Sequence, residues 1–265
     1  MLRNVFLKTL RDQFRPILFW SLGFIALILI YIALWPSIQE SAAELQAYIE
    51  KLPEAFRSAF ATGEYATPVG YINSELFSFM APLFFMIFTV TFASGTLLNE
   101  EASGTMNILL SSPLPRWKLV LEKWSAMVIA TLIIAFIAWE GFFIGLLFVE
   151  MDLNLANIVL ALFSAALLAL VFGTFSLFLA SLTPSRGLAV GVTSVLVVAS
   201  YLLNVLGPVV GQLKDFQRYS LFYFYNQNNI IQNGLNLTHA GILVFLTLIF
   251  LGLSIAAFSR RDVGR

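Results

Sequence analysis

Few residue types in this chain could do chemistry. Cysteine is absent, which removes disulfides, thiolate–zinc sites and thiol catalysis together. His239 is the single histidine, so imidazole-based zinc motifs are excluded, and it reads as structural. No Gly-Lys dipeptide occurs, so the chain has no Walker-type phosphate loop and no ATPase of its own. The long apolar runs hold no aspartate to form a catalytic pair and no lysine to activate a serine. Two features remain. Glu140, in Trp139-Glu140-Gly141, interrupts an apolar run, and a carboxylate is costly there unless it has a role. It could touch a substrate, take a proton or hydrogen-bond to a neighbouring helix. The second feature is the stretch from Asn99 to Lys118, which opens with Glu100-Glu101 and closes with Arg116-Trp117-Lys118.

Composition determines what positions these groups. The chain has 265 residues, 59% of them hydrophobic and only 11% charged, with 26 Phe. Its mean hydropathy is +0.87. A soluble domain carries about 25% charged residues, so too few charges remain here to cover a water-facing surface. Disorder is excluded by the same aromatic and aliphatic richness. Fifteen basic residues balance fifteen acidic ones, so no field points to nucleic acid. The solvent for most of this chain is lipid.

A membrane core takes about 20 apolar helical residues that satisfy their own backbone hydrogen bonds. Six such runs are present, at 16–35, 76–98, 124–148 (interrupted by Glu140), 155–182, 188–210 and 240–258. Strand-like alternation is missing, so the expected fold is an all-α integral membrane protein of six spans, forming one domain over 1–265. Eleven of the fifteen Lys/Arg fall on the side of the two termini, which predicts that both termini are cytoplasmic.

The connections are informative. The N-terminal residues carry Leu2, Val5, Phe6, Leu10 and Phe14 opposite Arg3, Lys8 and Arg11, a pattern for a helix lying on an anionic leaflet. Within the outer loop 36–75, residues 41–60 show a helical apolar stripe, either interfacial or packed on the outer ends of the spans. In the cytoplasmic loop 99–123, a helix is predicted before Pro113 and Pro115. Its Met106, Ile108, Leu109 and Leu110 call for a covering protein surface or cap the bundle itself. In the outer region 211–239, the cluster Leu221–Tyr225 suits an interface, or a re-entrant helical pair dipping into the bundle. Gly141/Gly145 and Gly187/Gly191 are small-xxx-small pairs.

Glu101-x-x-Gly104-Thr105, then Leu109-Leu110-x-x-Pro113-x-x-Arg116 and Lys123, resemble a run found after the second span of ABC-2 type transporter permeases. Leu52-Pro53-Glu54-Ala55-Phe56 and the C-terminal Phe258-Ser259-Arg260-Arg261-Asp262 are similar to two further motifs of that family. The resemblance implies a type V exporter-like bundle that binds no cofactor itself. It implies work with two P-loop ATPase chains carrying ATP and Mg, beside a second copy of this chain or a close paralogue. The helix at 1–15 would be the connecting helix. Glu100, Glu101, Gly104, Thr105, Leu109, Leu110, Pro113 and Arg116 would belong to the coupling segment. Spans two and five would line the path, which adds Thr89, Thr91 and Asn204 to Glu140 as candidate pathway groups, with Glu140 facing the bundle interior. The expected cargo is amphipathic or lipophilic: a drug, a peptide or a lipid-like molecule. The expected location is a prokaryotic cell membrane. A non-transporting assembly or anchoring subunit is the alternative.

Overall fold

The computed structural model describes residues 4–51, 67–106, 115–226 and 229–261. Among them every regular element is helical, and six helices are long and apolar enough to cross a membrane. Helix α1 (Val5–Asp12) leads into α2 (Phe14–Glu50). The next span is composite: α3 (Pro68–Ile72), a π-helical stretch (Asn73–Met80) and α4 (Ala81–Ala102). Then follow α5 (Arg116–Leu146), α6 (Leu155–Leu182) and α7 (Arg186–Leu206). A 3₁₀ stretch (Gly211–Tyr219), two short helices, α8 (Leu221–Asn226) and α9 (Ile230–Asn233), and the last span α10 (Leu237–Arg260) complete the chain.

Local chemistry explains the breaks. Thr67 caps α3 by accepting from the Gly70 N–H at 3.1 Å, with Pro68 in the first helical turn. Pro82 lacks an N–H, and its ring would press on the carbonyl one turn back. The wider π turns directly before it relieve that crowding. Several hydroxyls buried in the spans are satisfied inside their own helices. Thr131, Ser181, Thr193 and Thr247 each donate to the carbonyl four residues earlier, all at 2.8 Å.

Helix α6 is the centre of the bundle, contacting α4, α5, α7 and α10. Its small residues Ser164, Ala165, Ala166, Ala169 and Gly173 allow that close approach. A Cβ on Gly173 would stand 2.7 Å from the Thr89 Cβ and 3.1 Å from the Met127 sulfur. Because the Thr89 Cβ is rigid, Gly173→Ala is expected to cost about 1–3 kcal/mol by forcing α4 off α6. Gly191→Ala, with open space above it, should be near neutral. Denaturant titration of the two variants in micelles checks the contrast.

The two glycine pairs therefore have different fates. Gly141 and Gly145 of α5 lie against Ile25, Leu29 and Ile32 of α2, whereas Gly187 and Gly191 on α7 meet nothing within 4 Å. Along α7 only Ala189, Thr193 and Ser200 are buried.

The N-terminal helix packs along the third span. Phe6 meets Glu122, Ile25 meets Gly141 and Leu29 meets Gly145, every pair 116 positions apart. The chain from Val5 onward thus runs parallel to α5 in constant register, with α1 in line with α2 and Val5 and Thr9 buried. Glu122 receives the Phe6 N–H and holds the start of α1 against α5. The outer stripe expected from residue 41 begins as a continuation of α2, which runs unbroken to Glu50. The Leu52–Phe56 motif lies outside the described residues.

Candidate functional site

Helix α4 ends in Glu100-Glu101-Ala102, and the Glu-x-x-Gly-Thr motif is its stop signal. Gly104 adopts φ +73°, a left-handed conformation suited to glycine just past a helix end, and its N–H donates to the Glu101 carbonyl at 3.0 Å. Ser103 donates to the Asn99 carbonyl at 2.8 Å, and Thr105 to that of Glu100 at 3.3 Å. Two acids are thereby fixed in the last turn of a helix, where the dipole disfavours negative charge. They need cations, and distant segments supply them.

Glu100 joins two lysines. Lys123 of α5 reaches it at 2.7 Å and also donates to the Thr96 carbonyl at 2.5 Å, its side chain 1% exposed. Lys8 of α1 reaches the other carboxylate oxygen at 3.0 Å and also meets Asp12 at 3.3 Å. Burial pulls the Lys8 ammonium down, but Glu100 and Asp12 outweigh it and hold it above its usual 10.5. The stabilisation from Lys8 is therefore intact at neutral pH and is lost only as pH rises past that range.

Glu101 pairs with Arg261, Oε2 to Nη2 at 2.8 Å. The same guanidinium donates to the carbonyls of Ala180 and Thr183, at 3.0 and 3.4 Å, capping the end of α6. The Arg261 carbonyl in turn accepts from Arg116 at 2.5 Å. Arg186, at the start of α7, donates to the Asn99 side chain at 3.3 Å. The ends of α4, α6 and α10 and the starts of α1, α5 and α7 meet in this node. A polar cavity of about 230 Å³ opens beside it, lined by Lys8, Asp12, Asn99, Glu100, Thr105 and Lys123 among others.

Of the expected coupling residues, Glu100, Glu101, Gly104, Thr105 and Arg116 thus come together, while Leu109, Leu110 and Pro113 lie outside the described residues. Met106 is buried within the chain. Lys123 and Arg261 stand out in the sequence only as parts of motifs. Lys8 belongs by its spacing to a face expected to meet the leaflet, and no local signal in the sequence turns it toward Glu100.

The candidate pathway residues do not converge. Thr89 is sealed between α4 and α6, donating to the Ala169 carbonyl at 2.8 Å. It closes a helix contact and lines no path within the chain. Thr91 bonds its own helix, and Asn204 offers its carbonyl to Gln217 at 3.1 Å. Glu140 is half-buried and lies on the outward stripe of α5, since Ile133, Phe136, Phe143 and Ile144 at helical spacing from it are all exposed. This corrects the expectation that it faces the bundle interior. It stands six residues before the end of α5, about 9 Å from the face opposite the termini. Nor is Glu140 the one acid within a span. Glu75 lies in the span-length helix 68–102, within electrostatic reach of Tyr31 and Tyr71. The apolar run read from Leu76 stopped one residue short of it.

Toward that opposite face, α8 and α9 pack into the bundle. Phe222 and Tyr225 are buried rather than interfacial. Tyr225 donates its hydroxyl to the Phe77 carbonyl in the π-helical stretch and accepts at its own carbonyl from Ser164, each at 2.8 Å. Asn226 donates to the Asn73 side chain, and Asn157 to the Ile231 carbonyl, again at 2.8 Å.

Six spans, two short helices packed into the bundle between the last two and a charged node at one end define a multi-pass helical membrane protein. The model of the ABC-2 family transporter protein matches residues 3–263, and the chain belongs to that family. It is a permease of an ABC transporter, and such permeases generally partner with separate ATPase subunits. No curated protein matches the chain.

Proposed function

We infer that this chain is one half of an export permease, moving an amphipathic or lipophilic molecule out of the cell under power from two P-loop ATPase subunits that bind ATP and Mg. In this reading the face bearing both termini is cytoplasmic, in keeping with its eleven Lys/Arg. The observation that carries the reading is the node. It ties the 99–116 connection to α5, α6 and the C-terminus, so a force applied to that connection reaches several spans at once. The polar span groups are few and mostly bonded within the chain, which suits a lipophilic cargo better than a sugar or an ion.

A second copy completes the pathway, since Thr89 and its neighbours close the inside of a single bundle. Helix α7, with its open Gly187 and Gly191, is the face assigned to that copy. The chain has no native cysteine, so Ser194→Cys on this face gives a clean test: oxidation in membranes should yield a band near twice 29.5 kDa. A monomer band alone counts against the dimer.

Transport itself is tested with the permease–ATPase complex reconstituted in vesicles. ATP-dependent movement of a lipophilic dye, with hydrolysis stimulated by the dye, is the expected result. A complex that assembles and hydrolyses ATP but moves and responds to no amphipathic compound establishes the anchoring role instead.

A further inference from the structure

We propose that Arg11 and Arg15 form a headgroup clamp for an anionic phospholipid of the leaflet on the terminal face. The path from α1 into α2 is nearly continuous helix. Gln13 donates to the Thr9 carbonyl and Ile17 to the Gln13 carbonyl, both at 3.0 Å. Arg11 and Arg15 are therefore neighbours one turn apart on a single surface. Both are exposed, and among the described residues neither guanidinium has a hydrogen bond or an ion pair. Lys8, one turn before them on the same side of the helix, is held by Glu100 and by Asp12, whose carboxylate lies between the two arginines in sequence. The lysine of this stripe and its Asp12 partner are thus paired within the protein, and the two guanidiniums beside them are free.

What lies below them identifies the occupant. Continuing at helical spacing from Arg15, Phe19 is 75% exposed, Leu22 57% and Ile30 56%, a lipid-facing stripe running down α2. A ligand on this surface meets two cations at one end and a continuous apolar track beneath them. A phospholipid has that polarity, with its phosphate between the guanidiniums and an acyl chain along Phe19 and Leu22. Guanidinium pairs bind phosphate oxygens in bidentate fashion. A headgroup without a compensating amine leaves the attraction whole, so phosphatidylglycerol is favoured over phosphatidylcholine. An ATPase surface would match the arginines but would leave the apolar track beneath them to lipid.

The test is native mass spectrometry of the purified full-length chain, titrated separately with phosphatidylglycerol and phosphatidylcholine. The wild-type chain should prefer phosphatidylglycerol by roughly tenfold or more. In Arg11→Gln/Arg15→Gln that preference should fall at least to about twofold, with phosphatidylcholine binding and chromatographic behaviour unchanged. Arg11→Lys/Arg15→Lys should keep part of it. An undiminished preference in the Gln variant, or none in the wild type, overturns the clamp. Loss of ATPase association with lipid preference intact also overturns it and assigns the arginines to the partner protein.

Discussion

Glu100→Ala should destabilise the permease by about 3–5 kcal/mol, because it leaves Lys123 as a buried cation without its counter-ion. Lys123 has 1% of its side chain exposed, and among the described residues only the Thr96 carbonyl receives it beyond Glu100. A single carbonyl cannot replace a carboxylate at 2.7 Å. Lys8, which also loses Glu100, keeps Asp12 and is 39% exposed, so it can turn to water. Lys8→Gln should accordingly cost less than about 1 kcal/mol. The double change Glu100→Leu/Lys123→Met removes both charges and should recover most of the loss, since buried pairs are often replaceable by apolar side chains. Unfolding followed by tryptophan fluorescence in micelles measures all of these. A Glu100→Ala variant as stable as the wild type would mean that water reaches Lys123 and that the pair is not a buried one.

The second large effect concerns coupling and rests on the transport reading. Arg261 bonds Glu101 and two carbonyls at the end of α6 while its own carbonyl holds Arg116. Lysine at this position keeps the charge but cannot serve all three acceptors, because its ammonium lacks the planar fork. Each charge-assisted bond lost costs about 1.5–3 kcal/mol, tenfold or more in the population of the intact node. Arg261→Lys should therefore insert and assemble normally, yet move about tenfold less cargo per ATP hydrolysed. Glu101→Gln and Arg116→Gln should fail in the same direction, as both address the same residue. Arg260→Lys, one position earlier and exposed, is the matched control and should behave as the wild type. If Arg261→Lys retains the wild-type ratio of transport to hydrolysis, the node is a structural clasp and does not transmit force.

The amino-acid sequence by itself determined the six spans. In lipid each backbone N–H and C=O must be bonded within its own helix, so a run of about 20 apolar residues has no other structure open to it. It also determined where helix α4 stops, since Gly104 supplies a left-handed turn wherever the bundle places it. Tertiary structure alone decided which charges meet. Glu101 and Arg261 are 160 positions apart, and Glu100 and Lys8 are 92 apart; no local spacing links them. It also decided that Gly141 and Gly145 are used up against α2 while Gly187 and Gly191 remain open, and that Glu140 points outward. In water an apolar stripe marks the inner face of a helix. In a membrane the inner and outer faces are equally apolar, so the sequence of a span shows that it crosses the membrane but not what it faces.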